Sequence, residues 1–212
     1  MMGNSGPSVT ITTSTMVAVK AMQIDCKSEK HRASWLHKME TIIKLRHDHL
    51  VAIHNVRVKD CPDGGLHVEV LMDYYPNGNL STFLKQLKAQ QEFLLYGEII
   101  RYAVDITSGL VFLHQKNIIH GDLKPGNILV KHLGAREIRL LRLVICDCDN
   151  PIQMQQNTTV SSDISVTHLL GTLRYMSPEM LKKFVKFLGE RTTFPPPGRK
   201  TDILYGALAV LC

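Results

Sequence analysis

Apolar residues recur along the chain in patterns that predict both strands and helices. Five stretches rich in β-branched or other apolar residues predict strands: residues 16–20, 50–58, 66–72, 128–130 and 142–145. The Asp-Gly-Gly sequence at 63–65 predicts a turn that joins the second strand to the third. We therefore expect the first 75 residues to form a strand, a helix and then a pair of strands.

Apolar residues at three- and four-residue steps predict helices between these strands. The first helix is predicted over residues 28–46. Its apolar stripe consists of Trp35, Met39, Ile42, Ile43 and Leu45. Asn79 is a suitable N-cap for a short second helix. A longer helix is predicted over 97–117, and another begins near Thr201. The buried face of the 97–117 helix consists of Ile99, Ala103, Ile106, Leu110 and Leu113.

The composition indicates a folded domain, because 44% of the 212 residues are hydrophobic and 21% are charged. The net charge of +6 fits either a solvated basic surface or an anionic partner such as a nucleotide phosphate. Lysine and arginine are scattered and do not alternate with aromatic residues, so the pattern of a single-stranded nucleic-acid binder is absent. We expect no nucleic-acid partner.

The cysteine spacing argues against a zinc-binding protein, and the hydropathy pattern argues against a membrane-spanning or secreted protein. The five cysteines are irregularly spaced, and Cys146-x-Cys148 has no second pair at the spacing of a zinc site. No signal-like segment opens the chain, and no apolar run reaches the roughly 20 residues of a membrane span. We therefore expect no membrane contact and a cytoplasmic location, with the nucleus as the alternative.

One segment carries a specific chemistry. Residues 119–130 place Asp122, Lys124 and Asn127 in a loop between two apolar runs. A carboxylate can accept a proton from an attacking hydroxyl, an amine can neutralise a phosphoryl group in transit, and an amide oxygen can bind Mg²⁺. This combination of side chains predicts a phosphoryl-transfer site.

The segment His120-Gly121-Asp122-Leu123-Lys124-Pro125-Gly126-Asn127 resembles the catalytic loop of eukaryotic protein kinases, H-R-D-L-K-P-x-N, in its Ser/Thr-type form. Other blocks resemble the same family in the same order. Residues 17–20 resemble the strand whose lysine, here Lys20, contacts the α- and β-phosphates. Residues 72–75 resemble the hinge that binds adenine, with Met72 as gatekeeper and with Asp73 and Tyr75 beside the nucleotide.

The later blocks continue this order. Asp147 falls at the metal-binding aspartate of the D-F-G motif. Residues 171–179 resemble the end of the activation segment, which closes at Glu179. Residues 200–203 resemble the start of a buried helix whose aspartate, here Asp202, braces the catalytic loop. Glu179 and Asp202 are thus expected to be structural residues.

The resemblance implies a two-lobed α+β fold with a β-rich lobe at 1–75 and a mostly helical lobe at 76–212, both incomplete. It implies transfer of the ATP γ-phosphate to Ser/Thr hydroxyls of a protein substrate. Asp122 and Lys124 would be catalytic, and Asn127 and Asp147 would bind Mg²⁺. The expected partners are ATP and a protein, which is either a substrate or a regulated partner.

The chain departs from the family pattern around its first helix. Gly3 falls at the position of the third glycine of the Gly-rich phosphate loop, and the loop is expected to be incomplete. Lys38 occupies the position of the helix glutamate that pairs with the strand lysine, and it is expected to repel Lys20. Glu40 is the nearest carboxylate, but two residues correspond to about 200° on a helix, so it could pair with Lys20 only after a register shift.

Three departures lie near the catalytic loop. Cys148 and Asp149 replace the phenylalanine and glycine of D-F-G, and Cys148 is expected to weaken packing under the first helix. Gly121 replaces the arginine that grips a phosphorylated activation segment, so activation by that route is not expected. These changes leave three hypotheses: an active Ser/Thr kinase, a pseudokinase that binds nucleotide or acts as a scaffold, and an incomplete domain that does not fold alone.

Overall fold

The structure, a computed structural model, describes residues 16–25, 28–62, 65–132, 141–148, 152–153 and 199. The strands are β1 (Val17–Ile24), β2 (Ile53–Asp60), β3 (Leu66–Asp73), β4 (Ile118–Ile119), β5 (Ile128–His132), β6 (Leu141–Ile145) and β7 (Ile152–Gln153). The helices are α1 (Glu29–Ile42), α2 (Leu80–Ala89) and α3 (Tyr96–Gln115), with a 3₁₀ turn at Pro125–Asn127. The fold is α+β, as expected from the sequence.

The first half of the chain forms an antiparallel sheet in the order β1-β3-β2. The central strand β3 buries alternate residues Leu66, Val68 and Val70 completely, because one of its faces packs on α1. The predicted strand at 50–58 instead begins at Ile53. Leu50 forms an isolated bridge with Ile145 of β6, so the segment before β2 contacts β6 and not β3.

Helix α1 begins after Ser28, whose hydroxyl accepts a hydrogen bond from the His31 amide at 3.3 Å. It ends at Ile42, four residues before the predicted end at Arg46. The Arg46 guanidinium donates to the carbonyl oxygens of Ile43 and Leu45 at 2.7 Å each. These bonds satisfy carbonyls that a longer helix would have used, which explains the earlier end.

Helix α3 confirms the prediction over 97–117 to within two residues at each end. Its buried side chains include Tyr102, Ile106, Leu110 and Leu113, which pack on the β5–β6 hairpin and the catalytic loop. Asn79 caps α2, as predicted, by accepting a hydrogen bond from the Thr82 amide at 2.9 Å. No helix in the described part of the chain is both long enough and apolar enough to cross a bilayer.

Gly109 lets α3 approach β6 closely. A Cβ at this position would lie 2.9 Å from the His49 carbonyl oxygen and 2.9 Å from Ile145 Cδ1. We expect Gly109→Ala to lower the free energy of unfolding by about 1–3 kcal/mol, because backbone and core atoms must move apart. Urea denaturation of both proteins measures this difference.

The matched control is Gly97→Ala in the first turn of the same helix, where a Cβ would meet no atom within 4 Å. This substitution is expected to be neutral or to stabilise the chain by about 0.5–1 kcal/mol, because alanine favours the helix. Equal stability of Gly109→Ala and the wild-type chain would contradict the close approach.

Candidate active site

The catalytic loop lies between β4 and β5 and is anchored by apolar residues on both sides. Ile119, Leu123 and Ile128 are almost completely buried. Leu123 separates Asp122 from Lys124, and both polar side chains remain partly exposed. The anchoring of Leu123 in the core therefore presents the two charged groups together on the protein surface.

Asp122 is the centre of a hydrogen-bonded group. Its Oδ2 accepts from Lys124 Nζ at 2.7 Å and from Asn127 Nδ2 at 3.1 Å. Asn127 Nδ2 also donates to the Asp122 carbonyl oxygen at 2.7 Å. Because both bonds use the amide nitrogen, Asn127 can present its amide oxygen to a cation. Gly121, at φ 79°, adopts a left-handed backbone conformation just before the aspartate.

His120 connects this loop to the end of β6. Its ring is buried, its Nε2 donates to the Cys146 carbonyl oxygen at 2.8 Å, and its Nδ1 accepts from the Asp122 amide at 3.3 Å. The two bonds require the same neutral tautomer, with the proton on Nε2. His120 therefore has a structural role, because it fixes the backbone of Asp122.

Asp147 lies two residues after the end of β6 and has a positive φ of 65°, which turns the chain out of the strand. The Cys146 amide donates to the Asn127 carbonyl oxygen at 3.0 Å. The residue before Asp147 is thus hydrogen-bonded directly to the backbone of the catalytic loop. Lys20 Nζ lies 2.5 Å from Asp147 Oδ1. The structure thus brings together a lysine and an aspartate that are 127 positions apart.

The first helix does not supply a carboxylate to Lys20. Lys38 lies one turn before Ile42 on the same face, and Ile42 lines a small cavity together with Asp147 and Cys148. The side chain of Glu40 is 72% exposed, and its ion pair is with His37 at 4.0 Å. The alternative in which Glu40 pairs with Lys20 is therefore wrong.

Cys148 contributes more packing than expected. Its side chain contacts the apolar cluster of α3 and the catalytic loop and also the cluster of α1 and β3. The predicted weak link under α1 is thus partly replaced by a small side chain that contacts both clusters. Asp149, Gly3, Glu179, Asp202 and the helix predicted from Thr201 lie outside the described residues.

The hinge residues form a connected polar group. Met72 lines the same cavity as Asp147, and Asp73 Oδ1 lies 2.7 Å from His54 Nε2. The pKa of Tyr75 is raised to about 12, first by burial and then by the charge of Asp73 and a hydrogen bond to it. The Asp73 amide donates to the Ala52 carbonyl oxygen at 3.1 Å. Asp73 is thereby fixed by contacts with Ala52 and His54 and by its hydrogen bond with Tyr75 of the hinge.

A second ionic cluster was missed from the sequence. Asp105 in α3 is completely buried, and it binds Arg142 of β6, which also contacts His49. The apolar periodicity gave no signal for it, because Asp105 is one residue from Ile106, about 100° around the helix, and lies outside the predicted buried face. A buried charge requires a partner, and the helical pattern does not say which residue provides it.

Comparison with known proteins agrees with this geometry. A sequence model of the protein kinase domain matches residues 3–191. The chain is 30% identical over 177 residues to inhibitor of nuclear factor kappa-B kinase subunit beta of Rattus norvegicus. The aligned region covers 81% of the chain and 21% of that protein. It is 26% identical over 199 residues to the serine/threonine-protein kinase ATG1 of Beauveria bassiana. This aligned region covers 78% of the chain and 21% of that protein.

A third relative is the probable serine/threonine-protein kinase iksA of Dictyostelium discoideum, 31% identical over 123 residues, or 55% of the chain and 12% of that protein. The chain therefore spans about a fifth or less of the length of these relatives. The match to the kinase domain covers far more than half of the chain and includes every residue of the site described above. This chain belongs to the protein kinase family.

Proposed function

We propose that this chain is the catalytic part of a protein serine/threonine kinase, which transfers the γ-phosphoryl group of ATP to a Ser or Thr hydroxyl of a protein. The observation that carries this proposal is the backbone link between two charged groups, because the Cys146 amide next to Asp147 donates to the carbonyl oxygen of Asn127 at 3.0 Å. Asp122, Lys124 and Asn127 form one hydrogen-bonded group, and Lys20 and Asp147 form an ion pair beside it. The names of two relatives among those compared support serine/threonine specificity.

The Lys20–Asp147 pair fits a magnesium–nucleotide complex, because each partner has the charge that one component of the complex needs. Asp147 would bind Mg²⁺ together with the amide oxygen of Asn127, and Lys20 would hold the α- and β-phosphates. The part of the chain that the structure describes contains no group of three or more metal-binding side chains. Mg²⁺ in such sites takes its other ligands from phosphates and water, so two protein ligands suffice. When bound, the metal offsets the negative charge of the phosphate oxygens.

Asp122 would accept the proton of the substrate hydroxyl as the hydroxyl oxygen forms its bond to the γ-phosphorus. The bond between that phosphorus and the bridging oxygen of ADP breaks, and its electron pair leaves with ADP. Lys124, held 2.7 Å from Asp122 Oδ2, is placed to stabilise the charge of the group in transit. Backbone groups of the hinge at Asp73 and Tyr75 would bind adenine beside Met72.

We also propose that the two lobes divide at the hinge, with 1–75 in the β-rich lobe and 76–212 in the helical lobe. One observation favours a second candidate function, a pseudokinase that binds nucleotide without turnover. Lys38 occupies the helix position that would orient Lys20, so the productive arrangement of Lys20 lacks its usual support from α1. Binding and turnover must therefore be measured separately.

Nucleotide binding tests the proposed site directly. We expect ATP with Mg²⁺ at about 100 times its dissociation constant to stabilise the chain by about 2.7 kcal/mol, which raises its melting temperature by roughly 5–10 °C. In Asp147→Asn the increase that depends on Mg²⁺ should be lost, because a neutral amide binds the cation poorly. Differential scanning fluorimetry with ATP, in the presence and absence of Mg²⁺, measures both effects.

The matched control is Asp25→Asn, which makes the same change at an exposed position after β1 and should retain the full increase. A full Mg²⁺-dependent increase in Asp147→Asn would contradict the assigned metal site. A cooperative transition of the wild-type chain also excludes the hypothesis that the domain does not fold alone.

A further inference from the structure

Asp105, Arg142 and His49 form an ionic cluster between α3, β6 and the segment that follows α1, in which Asp105 and His49 are buried and the Arg142 side chain is 35% exposed. The Asp105 carboxylate accepts from Arg142 Nε at 2.9 Å, from Arg142 Nη2 at 2.7 Å and from the Leu143 amide at 2.9 Å. The hydrogen bonds to Asp105 raise the pKa of the Arg142 guanidinium above its ordinary value. Both oxygens of the carboxylate are thus satisfied, although Asp105 has no exposed surface.

His49 extends this cluster to the backbone of β6. Its Nδ1 lies 2.8 Å from the Leu143 carbonyl oxygen, and its Nε2 lies 3.1 Å from Arg142 Nη2. Because a carbonyl can only accept and a guanidinium can only donate, the proton of His49 is on Nδ1. The amide and the carbonyl of Leu143 are therefore both held by side chains of the same cluster.

The backbone around His49 also binds the end of β6, close to Asp147. The Ile145 amide donates to the His49 carbonyl oxygen at 2.9 Å, and the Val51 amide donates to the Ile145 carbonyl oxygen at 2.9 Å. On its other edge, β6 pairs with β5 along its whole length. The strand is consequently held on both edges from Leu143 to Ile145, and Asp147 follows two residues later.

Stability alone does not account for such a cluster. A buried ion pair loses about as much by desolvation as it gains by attraction, and apolar residues of similar size often stabilise a core equally well. What a saturated buried carboxylate does provide is a defined geometry, because any displacement leaves a buried charge without a partner. The geometry defined here is that of the strand that ends at Asp147.

We propose that Asp105, Arg142 and His49 are positioning residues, which hold β6 so that Asp147 meets Lys20 and the catalytic loop. None of the three touches the reacting groups. They act through the Leu143 and Ile145 backbone, which fixes where the chain turns at Asp147. The part of the inference that concerns Mg²⁺ rests on the proposed function, whereas the positioning of β6 does not.

Two substitutions of His49 separate the roles of its ring nitrogens. In His49→Asn the side-chain NH₂ can replace Nδ1 and still donate to the Leu143 carbonyl oxygen. In His49→Gln the amide reaches the position of Nε2 and can accept from Arg142, but the bond to Leu143 is lost. Ile118→Val, in the buried strand β4, is the control for a general loss of core packing.

The first measurement is amide hydrogen exchange in the absence of nucleotide, followed by mass spectrometry of peptides that cover 141–148. We expect exchange at Ile145 and Cys146 to be about tenfold faster in His49→Gln than in His49→Asn. Ile118→Val should change these amides no more than it changes the rest of the core. Equal exchange in the two His49 variants, or an equal effect of Ile118→Val, would overturn the proposal.

The second measurement is the Mg²⁺ concentration required for half-maximal binding of a fluorescent ATP analogue. It should rise about tenfold in His49→Gln and less than threefold in His49→Asn and Ile118→Val, while binding without Mg²⁺ stays the same. An unchanged Mg²⁺ requirement in His49→Gln would overturn the link to Asp147. If the wild-type chain shows no Mg²⁺-dependent binding, the proposed function fails, and the exchange comparison still decides whether the cluster positions β6.

Discussion

Asp122→Asn is expected to lower the rate of phosphoryl transfer by roughly 10²–10⁴-fold, the range that general base catalysis contributes. Asparagine has nearly the same shape, and its Oδ1 can still accept from Lys124, but a neutral amide does not take the proton of the substrate hydroxyl. The loss should therefore appear in kcat, while the affinity for Mg²⁺ and ATP changes little. Transfer of labelled phosphate from ATP to dephosphorylated casein measures the rate, and the melting temperature with nucleotide measures the binding.

Two outcomes would contradict this expectation in different ways. Equal rates in the wild-type chain and Asp122→Asn would assign the turnover to a contaminating enzyme. Nucleotide binding by the wild-type chain without any turnover would favour the pseudokinase over the active kinase. Asp25→Asn again serves as the control, because it makes the same change at an exposed position after β1.

Lys38→Glu is expected to raise kcat/KM for ATP about tenfold, which corresponds to about 1.4 kcal/mol. The substitution removes a positive charge from the face of α1 that carries Ile42 and offers a carboxylate to Lys20 in its place. Lys20 then no longer depends on Asp147, to which it is bound at 2.5 Å, and the aspartate can bind the metal. Most single substitutions lower activity, so a gain is a distinctive result.

The control for Lys38→Glu is Lys30→Glu, which makes the same charge change at an exposed position of the same helix and should alter kcat/KM by less than twofold. A double-mutant cycle with Lys20→Met tests the mechanism, because the gain requires Lys20 and should vanish without it. An unchanged or lower kcat/KM in Lys38→Glu would show that Lys38 does not limit the orientation of Lys20.

Much of the local structure was predictable because its causes are local. The apolar periodicity of α3 indicated its limits to within two residues, and the Asn79 cap was identified from a single side chain. The errors occurred where distant residues compete for the same backbone groups. Residues 50–52 have the composition of a strand, but Leu50 pairs with Ile145 rather than continuing β2. Helix α1 ends early, and Arg46 binds the carbonyl oxygens of Ile43 and Leu45, which a longer helix would have used.

The candidate site also combines contacts that are local in the sequence with contacts between distant residues. Asp122, Lys124 and Asn127 lie within six consecutive residues, so the sequence determines that they meet, and the order of the motifs determines the family. Only the tertiary structure decides that Lys20 binds Asp147, that Glu40 points to solvent, and that the buried Asp105 meets Arg142. The physical reason is that helical and strand periodicity assign a residue to a face of its own element. Which distant charge lies opposite that face depends on how the elements pack, and a buried charge such as Asp105 is satisfied only after they have packed.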